Sequence, residues 1–137
     1  NEALAGGARL VLGGGRRGAL FQPTILVDVT KEMRVMSEEI FSPVVCVIPF
    51  DTLDEAIHAV NDTPYGLAAG LFTSDLSKAL RVARRIEVGS FHVNQTSSCR
   101  QDFMPYGGMK ASGFGREGPR YAIRDMTEER LVTFTPV

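Results

Sequence analysis

The sequence predicts an α/β domain with a largely parallel sheet and flanking helices, and three observations lead there. Short apolar runs of strand composition alternate with stretches of helical period between Pro23 and Asn94. The joints between them are short, as right-handed crossovers require. A long polar loop then follows Asn94, at the end of a predicted parallel strand, where proteins of this class carry their ligands.

The elements follow in order. The chain opens in what reads as a helix end, closed by Gly6-Gly7 and followed by the strand-like Ala8–Leu12. The run Gly13-Gly14-Gly15-Arg16-Arg17-Gly18 lacks the Lys-Ser/Thr ending of a phosphate cradle and no helical pattern follows it, so a mobile surface hairpin is expected. Pro23–Asp28 reads as a strand. Val44–Phe50 reads as another, so continuously apolar that cover on both faces is expected. Just before it, Met36–Pro43 sets Glu38, Glu39 and Phe41 at the strand's mouth. A carboxylate there suits a sugar's hydroxyls with an aromatic beside it; the same pair of acids also suits a solvated turn.

Thr52-Leu-Asp-Glu55 is a capping box, and the helix it starts runs to about Asn61 with Leu53, Ala56, Ile57 and Val60 on one face. Asn61–Gly66, with Pro64, stops it. Leu67–Thr73 is a second buried-strand pattern. Ser74 or Asp75 caps a second helix with Leu76, Ala79, Leu80, Ala83 and Ile86 inward, leaving Lys78, Arg81, Arg84 and Arg85 as a solvated face. Val88–Asn94 is the next strand and Gln95–Pro105 the polar loop. Pro105–Gly118 holds five glycines, too many for a regular element, so backbone approaches something closely or turns sharply there. Glu117–Asp125 is a last short helix and Thr127–Pro136 a last strand.

Composition bounds the partners. The 137 residues are 44% apolar and 23% charged, enough for one core. A net charge of -1 and a pI near 6.1 give no electrostatic reason to expect nucleic acid or an anionic membrane. No run approaches the roughly 20 apolar residues of a membrane span. With no secretory leader pattern at Asn1–Gly7 and only Cys46 and Cys99, a cytoplasmic setting is the expectation.

Four motifs together carry a resemblance. Glu38-Glu-Ile-Phe-Ser-Pro-Val44, Asn61-x-x-x-Tyr-Gly-Leu-Ala-Ala69, Gly89-x-x-x-Val-Asn94 and Pro105-Tyr-Gly-Gly-x-Lys-x-Ser-Gly-x-Gly-Arg-Glu-Gly118 stand in the order and spacing of the NAD(P)-dependent aldehyde dehydrogenase superfamily. The chain resembles the C-terminal part of that family from about Gly7 onward. The resemblance implies a segment of an enzyme of roughly 480 residues, about three to four times this length on ordinary domain arithmetic. Residues 1–126 would belong to its catalytic domain and 127–137 to an oligomerisation strand, which pairs with another subunit's sheet in a homodimer or homotetramer. The missing initiator methionine fits a cut piece.

Carried over by position, the resemblance implies that Glu39 accepts hydrogen bonds from the nicotinamide ribose of NAD or NADP and that Phe41 packs near the same ring. Ser42 stands where the family more often has glycine. Neither cysteine matches the family's nucleophile, and neither the general-base glutamate nor the dinucleotide-binding unit is within these residues. The segment alone is therefore expected to be inactive. Cys46 reads as a small core residue. Glu117 matches a carboxylate in the shell around the general base, a possible proton relay, and equally suits a helix start. Arg116 and Glu128 match a pair that the family brings together, so a salt bridge is expected.

The loop after Asn94 corresponds to the wall of the family's aldehyde tunnel, which makes Ser98, Cys99, Arg100 and Tyr106 the candidate substrate residues. A guanidinium at Arg100 suits a carboxylate or phosphate at the far end of a short aldehyde, by bidentate hydrogen bonds. Pairing with Asp102 or another surface acid is the alternative. A second class of reading is a non-catalytic α/β binding or structural module built on the same scaffold.

Overall fold

The computed structural model describes residues 1–136. They form two compact units, Asn1–Ala56 and the chain from Ile57 on, with one helix running through the boundary.

In the first unit, α1 (Glu2–Ala5) leads to β1 (Arg9–Leu12), then β2 (Arg16–Arg17), β3 (Leu20–Phe21), β4 (Thr24–Val27), α2 (Arg34–Ser37) and β5 (Val44–Cys46). The central strand is β4, antiparallel to β1 and parallel to β5. Its position shows in its burial, with Thr24 and Leu26 buried and Ile25 and Val27 half-buried. The buried Thr24 hydroxyl is satisfied: it donates to the Gln22 carbonyl at 2.8 Å and accepts from the Gly14 N–H at 2.9 Å. Ala3, Ala8, Leu26 and Met33 form the core, with Val44 and Cys46 packed against it. The expected hairpin over the glycine run is β2–β3.

The second apolar run falls short of its expectation. Only Val44–Cys46 joins the ladder, and Val45, Val47, Ile48 and Phe50 are exposed. Cover on both faces needs a layer on each side, and none of the described residues of this unit supplies the second.

The helix through the boundary is α3 (Leu53–Asn61), followed by β6 (Tyr65–Gly66), β7 (Ala68–Leu71), α4 (Leu76–Ala83), β8 (Ser90–Val93), β9 (Met109–Lys110) and α5 (Pro119–Asp125). The capping box forms, with Glu55 N–H on the Thr52 hydroxyl at 3.2 Å. Its return bond comes from Asp51 N–H to the Glu55 carboxylate at 3.0 Å. Strands β7 and β8 are parallel neighbours with α4 between them in the chain, and β6 pairs antiparallel with β9. Asp75 caps α4, accepting from Lys78 N–H at 2.9 Å.

Two expectations need correction here. The face that α4 buries is Ala79 and Val82, with Leu76, Leu80 and Ala83 exposed. The cover in this chain lies on the Ala79–Val82 side, and the leucine stripe is left outward. Thr127–Pro136 forms no ladder among the described residues, so the expected strand is absent as an element of this chain. An extended segment becomes a strand only when another strand takes its N–H and C=O groups, and none of the chain's own strands does so. Val137 lies outside the described residues.

Candidate functional site

In the first unit the two adjacent acids have separate fates. Arg34 and Glu38 sit four apart and meet as a fork, Nε to Oε1 and the terminal nitrogen to Oε2, both at 2.8 Å. Glu2 approaches the same guanidinium at 3.5 Å. These bonds hold the Glu38 carboxyl below its ordinary value, first through the Arg34 hydrogen bond, and hold the Arg34 guanidinium more firmly protonated. The backbone at Glu38 is extended, so the side chain of Glu39 leaves from the opposite side. Glu39 is exposed and in no hydrogen bond or ion pair among the described residues. Phe41 is 96% exposed. A free acceptor-only carboxylate two residues from an uncovered ring is an arrangement that suits a donating diol with a flat ring beside it.

In the second unit, the turn out of β8 is made by Asn94, whose φ of 56° is one that asparagine tolerates. Its side chain accepts from Thr73 N–H at 2.8 Å, fixing where the polar loop begins. Thr96 and Ser98 share a hydroxyl hydrogen bond at 2.8 Å, and Cys99 N–H donates to the Thr96 carbonyl at 3.2 Å. Cys99 is half-buried with a free thiol.

The alternative expected for Arg100, pairing with a surface acid, is what the structure shows, although the acid is Glu117 and not Asp102. One guanidinium nitrogen donates to the Glu117 carboxylate at 2.8 Å, and the guanidinium carbon stands 4.5 Å from the centre of the Tyr106 ring. Tyr106 and Glu117 are themselves an isolated antiparallel pair: Glu117 N–H donates to the Tyr106 carbonyl at 2.6 Å and Tyr106 N–H to the Glu117 carbonyl at 3.2 Å. The sequence reading singled out all three residues, and the structure brings them together. It also makes Glu117 an ion-pair partner lying just ahead of α5, a role that neither reading of that residue foresaw.

The expected Arg116–Glu128 salt bridge does not form. Arg116 donates to the carbonyls of Gly108 and Gly115, at 2.9 and 2.7 Å, and ties the glycine-rich loop across its base. Backbone oxygens this close leave no reason for the guanidinium to reach an acid on an unpaired tail. Lys110, missed as a functional candidate, anchors the other side. Its ammonium donates to the Asn61 carbonyl and meets Glu87, at 2.8 and 2.7 Å, while its own φ is 55°. A cleft of about 590 Å³ runs along this loop, with Tyr106, Phe114, Arg116 and Glu117 in its wall. Ser98 and Cys99 do not line it. Among the described residues no cluster of metal-ligating side chains occurs, and no helix is long and apolar enough to cross a membrane.

Comparison with known proteins gives the arrangement its context. The model of the aldehyde dehydrogenase family matches residues 1–132. The 3-sulfolactaldehyde dehydrogenase of Priestia megaterium is 53% identical over 131 residues, which are 96% of this chain and 28% of that protein. A vanillin dehydrogenase of a Pseudomonas species is 41% identical over 133 residues, 97% of this chain and 28% of that protein. Among solved structures, aldehyde dehydrogenase 21 of Physcomitrella patens, in complex with succinate, superposes with a TM-score of 0.91 at 45% identity. That match covers 93% of this chain and 26% of the other. The glyceraldehyde-3-phosphate dehydrogenase GapN of Methanocaldococcus jannaschii, complexed with NADP, superposes at 0.86 with 43% identity, covering 91% and 27%. The chain thus spans about 28% of the length of the curated relatives it matches.

Proposed function

This chain belongs to the aldehyde dehydrogenase family, and from that premise we propose that the whole protein oxidises a small anionic or hydroxylated aldehyde to its carboxylic acid with NAD or NADP. The observation that carries the substrate class is Arg100, a cation on the polar loop after β8, backed by the Tyr106 ring and Glu117. Its other guanidinium nitrogens engage no acceptor among the described residues, so they are free for a carboxylate, sulfonate or phosphate. The relatives named for 3-sulfolactaldehyde and bound to succinate support that class, since both are small anions.

In the reaction, a cysteine thiolate elsewhere in the protein adds to the aldehyde carbon, and the thiohemiacetal gives up hydride to become a thioester. Water then releases the acid and returns the thiol. NAD or NADP supplies the hydride acceptor when bound. Glu39 accepts hydrogen bonds from its ribose hydroxyls and Phe41 packs beside the ring. The parts of the chain from Asn94 on orient the aldehyde: Ser98 and Cys99 line its approach and Arg100 holds its far end. Glu117, beyond its bond to Arg100, serves as a proton relay to the general base elsewhere in the protein. Without the nucleophile, the 137-residue chain alone is inactive. The tail from Thr127 pairs with a second subunit in a homodimer or homotetramer, giving its exposed Leu131 and Phe134 a cover. The setting is cytoplasmic.

The test is a panel of short aldehydes, anionic and neutral, assayed with both dinucleotides on the full-length protein and on Arg100→Ala and Glu39→Gln. Arg100→Ala raises KM for the anionic aldehydes by about tenfold or more, the worth of a charge-assisted pair, and leaves the neutral ones unchanged. Glu39→Gln raises KM for the dinucleotide and not for the aldehyde. Equal effects of Arg100→Ala on both classes overturn the substrate assignment. No turnover of any aldehyde by the full-length protein favours the non-catalytic module.

A further inference from the structure

We infer that Lys110 is a positioning residue: its ammonium latches the glycine-rich loop to the end of α3, and so holds the wall that Tyr106 presents to the aldehyde. The inference rests on the aldehyde-oxidising reading above and deepens it. Three non-glycine residues have a positive φ among those described: Asp28, Asn94 and Lys110. The short polar side chains of aspartate and asparagine tolerate that backbone, and lysine's does not. Elsewhere in the same loop the positive-φ positions are glycines, Gly113, Gly115 and Gly118. A lysine at 55° is thus kept where glycine would be free of strain, so the gain lies in its side chain.

That side chain spans from the loop to the helix. Its Nζ donates to the carbonyls of Asn61 and Thr63, at 2.8 and 3.3 Å, and meets the Glu87 carboxylate at 2.7 Å. Asn61 is the last residue of α3, so its carbonyl lies where a helix leaves acceptors unpaired and favours a cation. The receiving end is itself fixed. The Asn61 side chain donates to the Arg85 carbonyl at 2.7 Å and accepts from Glu87 N–H at 3.0 Å. The Lys110 side chain is only 25% exposed, which limits screening of the pair by salt. Gly107 and Gly108, between Tyr106 and the strand that ends in Lys110, carry no side chains to hold their own course. The cleft has Tyr106 and Gly107 in its wall, so the latch decides where that wall stands.

The experiment uses the full-length enzyme with Lys110→Met, Lys110→Gly and Glu87→Gln, and Lys110→Met combined with Glu87→Gln. The probes are 4-oxobutanoate and butanal, equal in chain length and differing in the anion. Both Lys110 variants raise KM for both aldehydes by about three- to tenfold, the cost of a displaced wall, and leave KM for the dinucleotide unmoved. Glu87→Gln has a smaller effect of the same kind and adds nothing to Lys110→Met. A purely structural role would lower the active fraction, and with it kcat, and would move neither KM. Lys110→Gly relieves the strained backbone, so it keeps the test open should Lys110→Met fold poorly. The inference fails if aldehyde KM stays at the parent value, if Lys110→Gly restores it, if the dinucleotide KM rises alike, or if the Glu87 effect adds in full. If Arg100→Ala is unselective while the Lys110 variants behave as expected, only the substrate class falls. If the full-length protein oxidises no aldehyde, both fall.

Discussion

Replacing Gly89 with alanine tests how the glycine-rich loop is held. Gly89 has no left-handed backbone to excuse it, so only space can require glycine. A methyl built there overlaps the Gly107 carbonyl oxygen and stands 2.7 Å from its carbon and 3.1 Å from the Gly108 Cα. Alanine's stiffer unfolded chain returns about 0.4–1 kcal/mol. Against that, overpacking costs about 1–3 kcal/mol, and the upper end applies because the obstacle is backbone and cannot turn aside. The expected net loss is about 2 kcal/mol, or roughly a thirtyfold fall in the folded-to-unfolded ratio. Urea denaturation of the full-length protein reads it as a lower midpoint at constant slope. A Gly89→Ala protein with an unchanged or raised midpoint refutes the packing argument.

Two further outcomes are expected. Asp75→Ala removes the carboxylate that takes Lys78 N–H at the start of α4 and lowers stability by about 1 kcal/mol by denaturant titration, while Asp75→Asn costs less. For Glu38, the Arg34 hydrogen bond lowers the folded pKa below its ordinary value, so its contribution is present above the unfolded value and lost as pH falls through the lowered folded one. Carboxyl-carbon NMR titration shows a Glu38 midpoint below that of an unpaired glutamate, and Arg34→Met raises it; a midpoint that Arg34→Met leaves unmoved contradicts the fork.

Local chemistry made much of the fold readable. The capping box at Thr52, the cap at Asp75 and the strands β4, β7 and β8 lie where propensity and period put them. What escaped depended on distant neighbours. The phase of α4 is set by which side finds cover, and in this chain that side carries Ala79 and Val82. The run after Pro43 reads as doubly covered, yet apolarity records a demand for cover and says nothing of where the cover lies. At the candidate site, Arg100 stands out from its polar loop and Tyr106 and Glu117 from the last motif, but their meeting is invisible in the sequence because a single rung across a glycine loop leaves no periodic trace. The Arg34–Glu38 fork, by contrast, is legible in its i, i+4 spacing, beside the more conspicuous Glu38-Glu39 pair.

The fork also divides the two neighbouring acids between different surroundings. Glu38 and Glu2 share one guanidinium, while Glu39 leaves the backbone on the other side. Neutralising Glu38 would leave Arg34 to Glu2 alone and the setting of Glu39 unchanged, so position 38 is open to variation independently of position 39.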